Sequence, residues 1–401
     1  MSSHHATFSA LSKPYLILAL LWLVGWTLRV PILAAPPLAT HMAESLDLGT
    51  AGVGAVTMLP VIAVALGAVP AAWLIARIGL RTAVVTGICV MVVASTVRGQ
   101  VPSAALLFAA SLIMGLGVAL FQTALPAATR VWTPTHVALG SAVYLNGMMV
   151  GELSAAGLTL PVVLPLAGGD WQLALVLWAV PVTLIAVMVM VARLPQDGAS
   201  SATDKLPGLS QKGALPRWND ARVWQYGVLL GSSVVSFYVV NAYAGSVLQA
   251  RGETDALSGF YFAYNAMPLL GSVAILIAPQ WIGSRRPIAI AALITAAGLA
   301  GFVFFEGWTS WVSALIVGFA ATVQLVLLTS LPPSIATGIA VTRLSAGMTL
   351  IGFALAFLLP LIGGSLAEAT GRIEAALIPA LIFMIAALAA LGLNARYPRY
   401  E

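Results

Sequence analysis

Hydrophobic positions in this chain neither alternate nor form narrow stripes; they run in blocks of helical length cut by short polar punctuation. Twelve blocks can be marked, near residues 14–39, 51–75, 82–98, 103–128, 138–165, 171–192, 223–249, 257–281, 287–305, 309–331, 341–362 and 374–394. Crossing the apolar core of a bilayer takes about 20 largely apolar residues in a helix. The alternating ten-residue segments of a membrane barrel are absent from the sequence. The expected fold class is therefore an all-α membrane protein with twelve transmembrane helices. The first block is too long for a removable signal peptide and has no small-residue cleavage site, so it is expected to remain as helix one.

Composition agrees and adds exclusions. Of the 401 residues, 60% are hydrophobic and 8% charged, against roughly 25% charged in a soluble domain. Charge then sets orientation, because short cytoplasmic loops carry excess Lys and Arg. With the N-terminus inside, fourteen of the eighteen Lys and Arg fall on the cytoplasmic side, while Arg98, Arg251 and Arg372 fall outside. Arg29 is left as the single fixed cation within the membrane. The net charge of +5 thus reflects topology and implies no nucleic-acid partner. The lone Cys89 excludes a disulfide within the chain, and the four histidines have no metal-ligand company, so neither a metal nor a cofactor is expected.

The only long polar stretch, 194–222, is rich in Gly, Pro, Ser and mixed charge and reads as a cytoplasmic linker. It divides the chain into an N-terminal six-helix bundle (1–193) and a C-terminal one (223–401). A faint repeat relates the two. Leu112–Gly115 recurs as Leu315–Gly318 at a shift of 203, and Leu66-Gly67 recurs as Leu270-Gly271 at a shift of 204. Ile78–Arg81 recurs as Ile282–Arg285, again at 204, and Leu164–Gly169 as Leu359–Gly364 at 195. This layout resembles the major facilitator superfamily, in which two halves related by a pseudo-two-fold axis hold substrate between them at mid-membrane and rock to alternate access.

Within that resemblance, Arg77, Gly79 and Arg81 match the loop between helices two and three that gates the halves, although Ala72 and Ala76 replace its Gly and Asp. Helix five, Gly147 to Gly157, lacks the Gly-Pro signature of drug and proton antiporters, and helices two and eight lack the central arginines of nitrate porters. The chain is more similar to the cyanate permease and 2-nitroimidazole transporter branch. Leu28-Arg29-Val30-Pro31, the helix-four stretch Pro102–Gly117 with Gln122 and Pro126, and the helix-eleven stretch Leu344–Pro360 with Ala369-Thr370-Gly371 carry that likeness. It implies that Arg29 sits where a small anion binds.

A cation at bilayer depth costs roughly 2.5 to 3.5 kcal/mol even on lenient scales, so Arg29 needs a partner. Glu152, in helix five, is the other charge within a span, and at 1.5 Å per residue both lie near mid-depth. Two readings stay open: a structural ion pair, or an anion on Arg29 with Glu152 as the proton-coupling carboxylate. Gln122, Tyr144, Tyr238, Asn241, Tyr261, Asn265 and Gln324 are the further candidates for the substrate wall. One membrane cation suits a monoanion better than a dianion, which usually meets two. The chain is thus expected to be a monomeric secondary transporter in the bacterial inner membrane, both termini cytoplasmic, moving a cyanate-like anion with H+ as candidate coupling ion. An exporter of drugs or of neutral planar solutes such as nitroimidazoles is the alternative, and a membrane sensor or enzyme a distant one.

Overall fold

The computed structural model describes residues 5–192, 216, 218–335 and 339–390. Most of the 194–222 stretch, and the end of the twelfth block, lie outside these. Every regular element among the described residues is helical. The spans are α1 (Tyr15–Leu46, interrupted), α2 (Thr50–Ile78), α3 (Leu80–Arg98), α4 (Ala104–Trp132), α5 (Leu139–Leu166) and α6 (Trp171–Val191), followed by α7 (Ala221–Ala250), α8 (Leu257–Ile277), α9 (Arg285–Phe304), α10 (Gly307–Thr329), α11 (Ile339–Thr370) and α12 (Ile373–Ala389). Among the described residues ten of these are long and apolar enough to cross a membrane, and α8 with the shorter α12 completes the twelve.

The packing repeats. In the first half α1 lies on α5, α4 on both α2 and α3, and α3 on α6. In the second, α7 lies on α11, α10 on both α8 and α9, and α9 on α12. The halves meet through α2 against α11 and α5 against α8, which are equivalent pairs under a two-fold relation. Small residues make the closest approaches possible. A Cβ on Gly25 would overlap the Tyr144 carbonyl, one on Gly147 the Trp22 carbonyl and one on Gly151 the Trp26 carbonyl. The contacts of Gly147 and Gly151 advance four residues on each helix together, from Trp22 to Trp26, so α1 and α5 run parallel and in step. The indoles of Trp22 and Trp26 fasten the seam by donating to Asn146 Oδ1 and Ser154 Oγ, both at 2.9 Å.

The first span is not the single continuous helix expected. Its helix stops at Thr27, resumes over Val30–Leu33, passes through a turn of 3-10 helix at Pro36–Leu38 and continues over Ala39–Leu46. Prolines are the cause. Pro31 has no amide to give the Thr27 carbonyl, and Pro36 and Pro37 leave those of Ile32 and Leu33 without donors. Arg29 lies at the first break.

The halves are closed against each other at the end bearing Glu44, Asp47 and Glu253. There the Tyr243 hydroxyl donates to the Pro360 carbonyl at 2.6 Å, between Gly54 and Gly364, whose lack of side chains makes room for it. Glu368 of α11 accepts from the Ala51 amide at 3.0 Å, capping α2 across the interface where its own N-cap, Gly49, offers no side chain. Losing such a cap costs roughly 1 kcal/mol. Glu368→Ala should accordingly shift the closed-to-open ratio of this end about fivefold. Distances between spin labels at positions 47 and 372 measure this; an unaltered distribution would show that the cap does not contribute to closure.

Candidate functional site

The packing of α1 on α5 brings Arg29 near Glu152. The two side chains interact electrostatically, yet among the described residues no ion pair within 4.0 Å joins them. Arg29 Nη1 instead donates to the Tyr238 hydroxyl of α7 at 3.2 Å, across the interface of the halves. Its Nε is buried with no partner. Glu152 is buried, and its charge is felt at the hydroxyls of Tyr238 and of Tyr264 in α8. Four groups from α1, α5, α7 and α8 thus converge between the halves.

Tyr264 is absent from the predicted set. Its phenol donates to the Phe237 carbonyl at 3.1 Å, and its ring stacks on Phe237 and Phe260 with centroids 5.3 and 5.8 Å away. Phe237 meets Tyr238 edge to face at 5.5 Å, so the aromatic wall continues to the partner of Arg29. A tyrosine three residues after Tyr261 was the available signal.

The other predicted residues divide. Tyr144 and Gln122 are half-buried, and the Gln122 Oε1 atom has no partner. Gln324 is fully buried; its amide donates to the Leu229 carbonyl and Ser232 Oγ at 3.1 and 2.9 Å, while its Oε1 is free. Asn241, Asn265 and Tyr261 form a polar knot with one another. Asn265 donates to Asn241 Oδ1 at 3.0 Å, and the Tyr261 hydroxyl accepts from the Gly245 amide at 3.2 Å beside the Asn241 and Pro36 carbonyls. The knot ties α7 and α8 to the broken part of α1.

The loop residues Arg77, Gly79 and Arg81 make their described contacts inside the first half. Arg77 covers the Trp73 ring at 3.8 Å, Gly79 takes a φ of +81°, and Arg81 donates to the terminal α6 carbonyls of Met190 and Ala192 at 3.2 Å.

One expectation is overturned. Arg29 is not the only buried cation, because Arg98, placed outside from its position at the end of α3, is 1% exposed and turned into the bundle. It donates to the Pro31 carbonyl at 2.8 Å and to Met114 Sδ at 3.2 Å. A residue ending a span counts as a loop charge in any sequence tally. Only packing reveals that its side chain points back inside.

Two matched six-helix halves with a polar, charged cluster between them define a secondary transporter that works by alternating access. The chain matches the family model of the Major Facilitator Superfamily over residues 15–337, and it belongs to that superfamily. It is 26% identical to the 2-nitroimidazole transporter of Escherichia coli (strain K12) over 365 residues, 89% of each chain. It is also 24% identical to the uncharacterized transporter YycB of Bacillus subtilis (strain 168) over 309 residues, 76% of this chain and 75% of that one. Among solved structures, the fold is similar to the inward-open xylose transporter XylE of E. coli, with a TM-score of 0.75 at 14% identity covering 94% and 95% of the two chains. The nucleoside transporter NupG gives 0.71 at 14%, covering 94% and 97%. Fold and relatives are those of transporters, not enzymes.

Proposed function

We propose that this transporter carries a small, cyanate-like monoanion into the cell across the bacterial inner membrane, with a proton as its coupling ion. The observation that carries the reading is Arg29, a guanidinium within the bundle whose Nη1 is met by a neutral phenol and whose Nε has no partner. A charged acceptor forms hydrogen bonds roughly twice as strong as a neutral one. An incoming anion therefore outcompetes Tyr238 for the same group. The stacked rings of Phe237 and Tyr264 stand beside this cluster, and the Asn241–Tyr261–Asn265 knot lies toward the acidic end.

Glu152 supplies the coupling. When its carboxyl is protonated, Arg29 leaves one unbalanced positive charge, which one monoanion neutralises. When it is ionised, the cluster is already neutral. Binding of the anion and of the proton thus favour each other, and this linkage is reciprocal. One anion moving with one proton transfers no net charge.

Orientation follows from the positive-inside rule, which puts the acidic end outside. The closed end then faces outward, and the cluster is served from the cytoplasm. Arg77, Gly79 and Arg81 lie at the opposite end, where the inner gate must form when the halves rock. A neutral planar solute is the second reading, favoured by the name of the E. coli relative and by the reach of Glu152 to Arg29, which neutralises the site without any anion.

Proteoliposome uptake of labelled cyanate, nitrate, small carboxylates and a 2-nitroimidazole, with and without an inward proton gradient, separates these readings. A monoanion should accumulate only under the gradient; uptake of the neutral solute alone would reject the anion. Glu152→Gln should retain substrate exchange and lose gradient-driven accumulation. A variant that still concentrates the anion would remove Glu152 from the coupling role.

A further inference from the structure

We propose that Arg98 is a positioning residue for Arg29: it anchors the break in α1 through the Pro31 carbonyl and so aims the substrate-binding guanidinium. The inference rests on the anion-binding role given to Arg29 above. Arg98 ends α3, is 1% exposed, and donates from Nη1 to the Pro31 carbonyl at 2.8 Å. Its Nε and Nη2 atoms are buried without partners, and among the described residues no carboxylate lies within 4.0 Å of it. A lone cation buried in a membrane bundle is costly. A glutamine would supply one donor at far lower cost, so a purely structural hydrogen bond leaves the charge unexplained.

The acceptor supplies the explanation. In a continuous helix the Pro31 carbonyl would receive the amide of residue 35, but the helix here ends at Leu33. Its carbonyl would otherwise be orphaned where no bulk water reaches, a state that membrane helices avoid. A charge-assisted bond to that oxygen stabilises the broken path over a continuous one. Arg29 caps the short helix Val30–Leu33 from the position just before it, and Pro31 has a fixed φ. Two residues of stiff backbone therefore connect the anchored oxygen to the Cα of Arg29. If the break healed, the following turn would rotate and carry the guanidinium away from Tyr238.

Two readouts test this on full-length protein, using Arg98→Gln and Arg98→Met. Hydrogen exchange over residues 28–35 reads the anchor without any substrate: Arg98→Gln should speed exchange there while distant helices keep their rates. Unchanged exchange over 28–35 would overturn the anchor. Uptake of labelled cyanate reads the aim, and KM should rise about tenfold in either variant with the maximal rate within about twofold. A lowered thermal midpoint with normal KM would reduce Arg98 to a structural role. If Arg98→Gln does not assemble, Arg98→Met decides, because it keeps an unbranched apolar stem in the bundle and donates nothing to the Pro31 carbonyl; normal KM there overturns the proposal. Combination with Arg29→Lys separates the two claims. Normal uptake by Arg29→Lys and by Arg29→Ala would remove the binding role itself, whereas an impaired Arg29→Lys whose defect simply multiplies with that of Arg98→Gln would leave that role standing and refute the positioning.

Discussion

Arg29→Ala is expected to abolish measurable anion uptake, lowering the specificity constant ~100-fold or more, while the protein still inserts and purifies as a monodisperse species. The magnitude follows from truncating one partner of a buried, hydrogen-bonded charge, which typically costs about 2–5 kcal/mol, each 1.4 kcal/mol being about tenfold. Arg29→Lys keeps the charge but loses the planar fork, and should fall about tenfold. Removing the arginine strands Glu152, which is buried beside it. The pair Arg29→Ala with Glu152→Gln therefore controls for loss of folding: it should assemble as well as the parent and still not move the anion. Uptake at the parental rate in Arg29→Ala would leave the transported species without its proposed contact.

The second large effect concerns the seam that brings Arg29 near Glu152. Gly147→Val should prevent normal docking of α1 on α5, because even a Cβ at this position overlaps the Trp22 carbonyl and Val adds two methyl groups. Overpacking of this kind costs about 3 kcal/mol, and neither backbone can move without opening the contacts at Gly25 and Gly151. The expected result is a lowered thermal midpoint and little monodisperse protein. Leu145→Val, two residues away at a position 41% exposed, should leave both unchanged. A normal thermal midpoint for Gly147→Val would mean that α1 and α5 do not pack this closely.

Much of this was open to a reader of the sequence. Counting along the spans put Arg29 and Glu152 within reach of each other, and Gly147 and Gly151, four apart, mark one face of α5 before its neighbour is known. Other parts were closed. Arg98 has the sequence position of a loop charge and the environment of a core residue. Tyr264 belongs to the cluster because α8 faces α5, a pairing that no spacing within α8 encodes. Asn241, Tyr261 and Asn265 look like separate polar wall residues along two helices, and in the fold they engage one another. The break in α1 is legible as three prolines, but which donor meets the freed carbonyl is not.

Residence in a bilayer, the number of crossings and the residues too polar to face lipid all follow from the order of amino acids alone. These properties are sums over each segment of its own transfer free energies, so they need no knowledge of neighbours. That Arg29 meets Tyr238 rather than pairing directly with Glu152, and that Arg98 turns inward to the break, came from the packed fold. Those outcomes depend on which helix faces approach one another across hundreds of residues, and in a medium without bulk water every unsatisfied donor and carbonyl is settled by that geometry.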